Sequence, residues 1–550
     1  MRVLGAAAAL MLCGAAVGPA PVSVAAGERI YREGVLASGQ PLRGERADAP
    51  TLEGHYAACV QCHRPSGMGM VEGQIVIPPI TGRYLFQPGR RIAPDSVQHS
   101  DATHLPPTPP NRVAYDMSTL ARAIRDGIGA DGGPLDYLMP RFDLDDSSMN
   151  ALIGYLRQLS ARAVAGATDS TLQFATILTP DADPVGRRGM LDVLEKYFVA
   201  NNENYLSSSA QSSAFGEPVQ VQRRWQLNVW QLEGAPSTWE DQLARRLKAE
   251  PVFAVISGLG GADWSPVHRF CERQSIPCLL PNVDLPVDAQ DDFYPVYYSA
   301  GVLLEARLIA ARVAPPPPAT LPPAAGEGRA GTASRIVQVF RSGDIGAAAA
   351  ARLRESLPRA AFEDRELGPQ DGAPAIARAL TTARDGDVLV LWLRAADLTA
   401  LPAPPPGVTQ AYVSGVMGGL ERAPLGSAWR SVARMTYPYE LPDRRGARVY
   451  YAIGWLHFRR IPVVDERVQV DTFIACSILT QALSSMVGEY QPDYLVERVE
   501  AMLSSRIVDG YYSHLGLAPG QRFASKGGYI VHFAGPDGLK LVADSDWVVP

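Results

Sequence analysis

The chain has 550 residues, which is more than a single hydrophobic core holds, so its length predicts several core-forming units. Hydrophobic residues make up 47% of the chain and charged residues 20%, a composition typical of soluble globular proteins. The net charge is −6 and no long Lys/Arg run occurs, so we expect no nucleic-acid partner.

The first 26 residues have the pattern of a secretory signal peptide. Arg2 is followed by a short apolar stretch and then by small residues up to Ala26, where we expect cleavage. Cys13 raises the option of lipidation, although Leu12 stands where a lipobox needs a small residue. No later apolar run reaches roughly 18 residues, so the sequence predicts export to the periplasm without a transmembrane segment.

Residues 57–69, AACVQCHRPSGMG, place His63 directly after the pair Cys59 and Cys62. Such a pair can form a redox disulfide, half of a zinc site or a covalent haem attachment. A redox disulfide has no need of the histidine, and a zinc site needs two further ligands. The motif in an exported chain therefore favours haem, with His63 as one axial ligand of the iron.

The second axial ligand is predicted downstream, at Met139 of the segment LMPRFDLDDSSMNALIGYLRQLS (138–160). Pro140 holds the backbone extended there, and apolar residues at helical spacing follow. Other histidines and methionines stay open as alternatives: His55, His99, His104, Met68, Met70, Met117 and Met149. A proline-rich insert at 87–112 carries two of these histidines and is predicted to be a surface loop.

Residues 27–162 resemble a class I c-type cytochrome. The resemblance rests on CHRPSGMG, on LARAIRDGIGADGGPL (120–135) and on the Met-Pro loop with its helix. It implies an all-α domain with one covalent haem c, thioether links at Cys59 and Cys62, and iron ligation by His63 and Met139. It also implies a periplasmic redox partner such as a dehydrogenase or another cytochrome.

After a small-residue linker at 163–170, the pattern changes to short apolar strands that alternate with amphipathic helices. Examples are the strand LQFATILTP (172–180), a helix at 186–203 and the strand WQLNVWQL (225–232). The alternation resumes at RIVQVF (335–340), after a Pro/Ala-rich insert at 313–334. Two halves of this kind predict parallel sheets covered by helices, arranged as two lobes.

Residues 171–550 resemble the type I periplasmic solute-binding proteins that serve ABC transporters. The resemblance rests on ATILTPDADPVGRRGMLDVLE, AVISGLGG, IPCLLPN, TQAYVSG and the closing segment GGYIVHFAGPDGLKLVADSDWVVP. It implies a two-lobed α/β fold and a small-molecule ligand. The fold class expected for the whole chain is therefore an N-terminal all-α cytochrome c domain followed by a two-lobed α/β domain.

Ligands of such sheets bind where parallel strands end, which selects a set of candidate cleft residues. They are Ser257, Gly258, Asn282, Tyr298, Ser299 and Ser414. Trp264, Tyr298 and Tyr412 are candidates for lining a pocket for an aromatic or cyclic compound. In an exported lobe, Cys271 and Cys278 are expected to form a disulfide, and Cys476 to be a buried thiol.

The sequence therefore predicts an exported haem c electron-transfer protein on a solute-binding-like scaffold, a carrier rather than a catalyst. No nucleophile elbow, phosphate-binding loop or zinc-protease motif occurs in the chain. The alternative is the solute-binding component of an ABC importer with an accessory cytochrome domain. A haem enzyme in which Met139 is displaced is the other rival.

Overall fold

A computed structural model gives the fold of the chain. It describes residues 24–47, 49–72, 75–89, 112–161, 163–215, 223–289, 291–314, 335–486, 489–505, 510–535 and 538–550. The chain divides into two compact units, Met1–Arg162 and Ala163–Pro550. The described residues leave out most of the predicted signal peptide with Cys13, most of the insert with His99 and His104, and almost all of the Pro/Ala-rich insert.

The first unit combines short helices with very short strands. Its helices are α1 (Val24–Glu33), α2 (Val60–His63), α3 (Gly82–Leu85), α4 (Met117–Asp126) and α5 (Asp146–Gln158). Its strands are β1 (Arg43–Glu45), β2 (Leu52–Glu53), β3 (Met70–Glu72), β4 (Ile75–Ile77) and β5 (Arg141–Phe142). The expected cleavage point at Ala26 lies within α1.

The core of the first unit lies where α1 packs against α5. Ile30 and Tyr31 of α1 are fully buried there together with Ile153 of α5. Gly27 permits the close approach, because a Cβ at this position would lie 2.1 Å from the Ala151 carbonyl oxygen.

The sequence predicted an all-α first domain, and this prediction is wrong because the domain also contains short β-strands. Strands β2, β1 and β5 form an antiparallel sheet, and β3 pairs with β4. Each of these strands has only two or three residues. Strands of that length show no alternation of apolar and polar residues, so periodicity could not reveal them.

The second unit is an α/β structure. Its strands are β6 (Thr171–Leu178), β7 (Arg224–Gln231), β8 (Ala254–Ile256), β9 (Cys278–Leu279), β10 (Pro295–Ser299), β11 (Ile336–Arg341), β12 (Phe362–Leu367), β13 (Val388–Trp392), β14 (Ala411–Val413), β15 (Ala433–Tyr437), β16 (Phe523–Ser525), β17 (Tyr529–Ala534) and β18 (Lys540–Ala543).

Its helices separate most of these strands along the chain. They are α6 (Pro184–Phe215), α7 (Trp239–Ala249), α8 (Ser265–Arg273), α9 (Val302–Val313), α10 (Ile345–Ser356), α11 (Ala373–Leu380), α12 (Ala395–Thr399), α13 (Gly415–Gly418), α14 (Ser427–Val432), α15 (Pro442–Phe458), α16 (Glu466–Ser485) and α17 (Pro492–Ser505).

Two sheets define two lobes, as the sequence predicts. The first lobe has the order β16-β10-β9-β8-β6-β7, and all of its pairs are parallel. The second lobe has the order β12-β11-β13-β14-β15-β17-β18, in which β17 and β18 are antiparallel to their neighbours. Strands β6 and β13 are apolar runs because both faces of a parallel sheet are covered by helices.

The chain passes between the lobes more than once. It leaves the first sheet after β10, returns to it at β16 and enters the second sheet again at β17. Helix α16 packs against α6 and β8 of the first lobe, whereas α9 packs against α10 of the second. Among the described residues, none of the helices has the length and apolarity needed to cross a membrane.

Candidate functional site

A cavity of about 270 Å³ opens between the two lobes of the second unit. It is lined by the segment after β14, by the start of α16 and by two tyrosines. The lining residues are Val416, Gly419, Leu420, Glu421, Arg422, Tyr439, Val464, Asp465, Glu466, Arg467 and Tyr511. The site therefore joins the carboxyl end of a second-lobe strand to a helix that packs on the first lobe.

Arg467 is the basic residue at the start of α16 in this cavity. Its guanidinium nitrogens lie 3.7 Å from Asp284 Oδ1 and 3.7 Å from Asp471 Oδ2, which is longer than a hydrogen bond. Burial acts to lower the pKa of Arg467, but Tyr439, Asp284 and Asp471 outweigh it and raise that pKa well above its usual value. The guanidinium is therefore charged, and its two acidic neighbours stand at ion-pair distance.

Asp471 lies one helical turn after Arg467 and is 1% exposed. Burial raises the pKa of its carboxyl to about 7, although Arg467 acts in the opposite direction. Its Oδ2 atom has no hydrogen-bond partner in the part of the chain that the structure describes. The Asp471 backbone carbonyl accepts a hydrogen bond from the Tyr298 hydroxyl, which holds α16 against β10.

The acidic side chains of the cavity already have donors. Glu421 Oε1 accepts from Arg445 Nη2 at 2.6 Å, and its Oε2 accepts from the Tyr437 hydroxyl at 3.0 Å. Burial acts to raise the pKa of Glu421, but the Arg445 hydrogen bond and charge outweigh it and lower the pKa. Glu466 Oε1 accepts from the Tyr511 hydroxyl at 2.7 Å.

Asp465 caps α16. Its Oδ1 accepts from Val468 N at 3.1 Å, which satisfies one of the free amides of the first turn. Each of these three acids thus accepts a hydrogen bond from the protein, whereas the Arg467 guanidinium has its two ion pairs at 3.7 Å and no side-chain hydrogen bond among the described residues.

Two of the predicted cleft residues meet in a buried cluster with α16. Asn282 Nδ2 donates to Ser257 Oγ at 3.1 Å and approaches Thr472 Oγ1 at 3.4 Å, and Ser257 Oγ lies 3.3 Å from Thr472 Oγ1. All three side chains are buried. The cluster joins the ends of two first-lobe strands to the helix that carries Arg467.

The other predicted cleft residues lie apart from this cluster. Ser299 Oγ accepts from Gly301 N at 3.1 Å, and Ser414 Oγ accepts from Met417 N at 3.1 Å. Gly258 has φ +122°, and a Cβ there would lie 3.0 Å from the Trp264 ring. None of the six candidates is among the residues that line the cavity described above.

Two of the candidate pocket aromatics belong to the apolar cores. Trp264 is 2% exposed in a first-lobe cluster with Trp230, and Tyr412 is 2% exposed in a second-lobe cluster with Trp392. Tyr298 stacks on Tyr512, with ring centroids 5.0 Å apart. Burial accounts for all three rings, so they pack the protein instead of offering a free aromatic surface.

Cys271 and Cys278 are joined by a disulfide that links α8 to β9. Cys476 is fully buried in α16, and burial raises the pKa of its thiol, so it stays a neutral apolar side chain.

The predicted haem residues lie in the first unit. Cys59 is partly buried, Cys62 is exposed, and burial raises the pKa of the Cys59 thiol to about 12. His63 is 6% exposed, and its Nδ1 lies 3.0 Å from the Pro78 carbonyl oxygen. Burial lowers the pKa of His63 to about 4. Met139 packs as a partly buried side chain against the apolar core.

No protein-family model matches the chain, and no curated protein matches it either. Among solved structures, the chain is similar to an ABC transporter substrate-binding protein from Aeropyrum pernix, with 13% identity and a TM-score of 0.49. That match covers 70% of this chain and 97% of the other.

Two further solved structures give similar values. A fatty acid ABC transporter substrate-binding protein from Thermomonospora curvata has 13% identity and a TM-score of 0.48, covering 71% of this chain and 95% of the other. A branched-chain amino acid ABC transporter protein from Thermus thermophilus, with bound valine, has 10% identity and a TM-score of 0.48, covering 69% and 97%.

These comparisons correct the main functional prediction. The solved structures that the chain resembles are described as ABC transporter proteins, substrate-binding proteins or amino-acid-binding proteins, and none of these five is described as a haem protein or an electron carrier. The predicted haem c cofactor and the electron-transfer function are therefore wrong, and the predicted redox partner gains no support from these comparisons. The solute-binding alternative agrees better. The Cys-x-x-Cys-His motif has only five residues, and a motif that short arises by chance in many chains. Among the described residues, no group of three or more His, Cys, Asp or Glu side chains is placed to hold a metal ion.

Sequence reasoning missed the residues that carry the charge of the cavity. Asp465 before the apolar run of α16 is a capping signal, and Arg467 and Asp471 are four residues apart on one helix face. That signal could have identified the start of the helix. It could not have placed this start opposite residues 416–422 of the other lobe.

Proposed function

We propose that the second unit binds a small carboxylate-bearing solute in the cavity between its lobes and acts as the solute-binding component of an importer. The main support for this proposal is the difference in hydrogen bonding between the acidic groups of the cavity and Arg467. Glu421 and Glu466 are held by donors of the protein at 3.0 Å or less, whereas the Arg467 guanidinium lies 3.7 Å from its nearest acids. A solute carboxylate is the partner that a planar guanidinium takes in a bidentate manner.

The surroundings of Arg467 support an anionic group of modest size. Arg422 gives the cavity a second guanidinium, and Val416, Leu420 and Val464 supply apolar surface for the rest of the solute. A volume of about 270 Å³ lies just below the range of roughly 300–1,000 Å³ that is common for small-molecule sites. A small solute suits this space.

The same proposal includes export of the protein from the cytoplasm. The Cys271–Cys278 disulfide supports it, because disulfides persist in oxidising compartments such as the periplasm. In such a compartment, a binding protein with two lobes would collect the solute and present it to a membrane permease.

The test uses two acids and the corresponding primary amides, in which an uncharged group replaces the carboxylate: octanoate with octanamide, and L-valine with L-valinamide. Titration calorimetry on the full chain should show binding of at least one acid, with its amide at least tenfold weaker, because the amide lacks the charge that Arg467 pairs with. An amide that binds as tightly as its acid, or no binding of any of the four, contradicts the proposal.

A further inference from the structure

The second lobe buries a carboxyl group directly behind the cavity. Glu305 lies in the first turn of α9 and is 0% exposed. Its Oε1 accepts from Thr436 Oγ1 at 2.7 Å and from Val416 N at 3.0 Å, and its Oε2 accepts from Ser414 Oγ. The donors come from β15, from α13 and from the end of β14, so one side chain joins three elements.

These contacts fix the wall of the cavity. Val416 lines the cavity, and the segment Ser414–Arg422, here called the wall segment, continues to Gly419, Leu420, Glu421 and Arg422. The wall segment lies tight on β15, because a Cβ at Gly415 would come within 2.1 Å of the Thr436 carbonyl oxygen. Glu305 is therefore the residue through which α9, the first helix after the chain leaves the first sheet, holds the wall segment.

We propose that Glu305 is a positioning residue that makes the opening of the wall segment depend on protonation. Burial of a carboxyl group disfavours its charged form, whereas a state in which the wall segment moves away admits water to Glu305. The inference rests on the proposed function only in that the wall segment bounds the solute cavity.

The direction of the effect follows from linkage. Burial raises the pKa of Glu305 to about 7, while the donors from Ser414, Thr436, Val416 and Gly415 act to lower it. In an open, hydrated state the pKa returns toward the ordinary 4.5. Between these two values the closed state holds a proton that the open state has lost. The opening constant then rises about tenfold for each pH unit and levels off above about pH 7.

The elements packed around Glu305 contribute mainly neutral groups. Strand β14 and helix α13 have no charged residues, and Arg434 of β15 pairs with Asp544 at 2.6 Å. On α10, Arg352 pairs with Asp288, Arg354 pairs with Asp364, and Glu355 lies 3.5 Å from Arg352.

The remaining charged or titratable groups around Glu305 are arginines of α9 and buried tyrosines, among them Tyr412 of β14 and Tyr437 of β15, whose pKa values are raised by burial. On α9 itself, Arg307 also pairs with Asp288, and Arg312 follows near the helix end. Tyr439 interacts electrostatically with Glu305. Burial raises the pKa of Tyr439, so this tyrosine stays neutral near pH 7. Arg467, Asp284 and Asp471 act on the same tyrosine, so Asp471 needs its own control.

The experiment measures amide hydrogen exchange of peptides covering residues 413–422 in the solute-free full chain between pH 5 and pH 8.5. Rates are divided by the intrinsic rate at each pH, so that only the opening constant remains. In the wild-type chain, protection should fall about tenfold per pH unit up to about pH 7 and then stay constant. Glu305→Gln should abolish this slope, because the amide does not titrate.

Two further variants make every outcome decisive. Thr436→Val removes one donor to the carboxylate, so the pH at which protection levels off should rise. This variant also serves if Glu305→Gln does not fold. Asp471→Asn should keep the wild-type slope. A flat wild-type profile, an unchanged slope in Glu305→Gln, or a slope lost in Asp471→Asn overturns the inference. None of these measurements uses a solute, so failure here is distinct from failure of the proposed function.

Discussion

At the scale of single residues, the second unit keeps titratable groups in places where water does not reach them. Asp471 is buried, its Oδ2 has no hydrogen-bond partner among the described residues, and Arg467 at 3.7 Å offsets its charge. A group of this kind costs stability when it ionises, because its charge is less well solvated in the folded state than in the unfolded chain.

Asp471→Asn should therefore change the pH dependence of stability in a defined direction. The folded pKa of about 7 lies above the unfolded value near 3.8, so the folded state binds more protons between these values. The free energy of unfolding of the wild type should fall relative to the variant as pH rises from about 4 to 7, and the difference should then stay constant. Urea denaturation at several pH values measures it, and a difference independent of pH would rule out this titration.

At the scale of elements, helix α16 connects the cavity to the first lobe. It carries Arg467 at its start, and the buried cluster of Ser257, Asn282 and Thr472 joins it to the ends of first-lobe strands. The position of the guanidinium thus depends on polar contacts one turn farther along the helix.

Thr472→Val tests this attachment, because valine keeps the shape of threonine and removes the hydroxyl. The variant leaves Ser257 and Asn282 with fewer partners in a buried site, so we expect a loss of about 1–3 kcal/mol in the free energy of unfolding. Ser484→Ala on the same helix is the matched control, since Ser484 is exposed and should change stability by less than about 0.5 kcal/mol. Equal effects of both variants in urea denaturation would show that the cluster does not anchor α16.

The elements also show what sequence patterns can and cannot predict. Strands β6 and β13 were predictable because they are buried apolar runs. Strand β12, with the sequence FEDREL, was missed because it lies at the sheet edge, where charged residues reach solvent. The strand-end rule found Ser257 and Asn282, which support α16. It could not find Arg467, because the packing of two lobes, not a local pattern, brings that residue to residues 416–422.

At the scale of the whole molecule, the two units differ in how much the sequence could establish. The alternation of strands and helices over several hundred residues predicted the two-lobed fold of the second unit, because each repeat adds independent support. The function inferred for the first unit rested on one short motif with His63 and on Met139, and the comparisons, which cover 69–71% of the chain, do not support it. In the structure, Met139 packs against the apolar core of its unit.

The central claim is that Arg467 binds the carboxylate of a solute enclosed by both lobes. Titration calorimetry of the full chain with octanoate or L-valine, whichever binds, compares the wild type with Arg467→Met and with the exposed control Arg359→Met. We predict that Arg467→Met weakens the affinity by about 30-fold or more, as expected for loss of a charge-assisted bidentate contact worth at least about 2 kcal/mol, whereas Arg359→Met binds as the wild type does. Wild-type affinity in Arg467→Met would contradict the account.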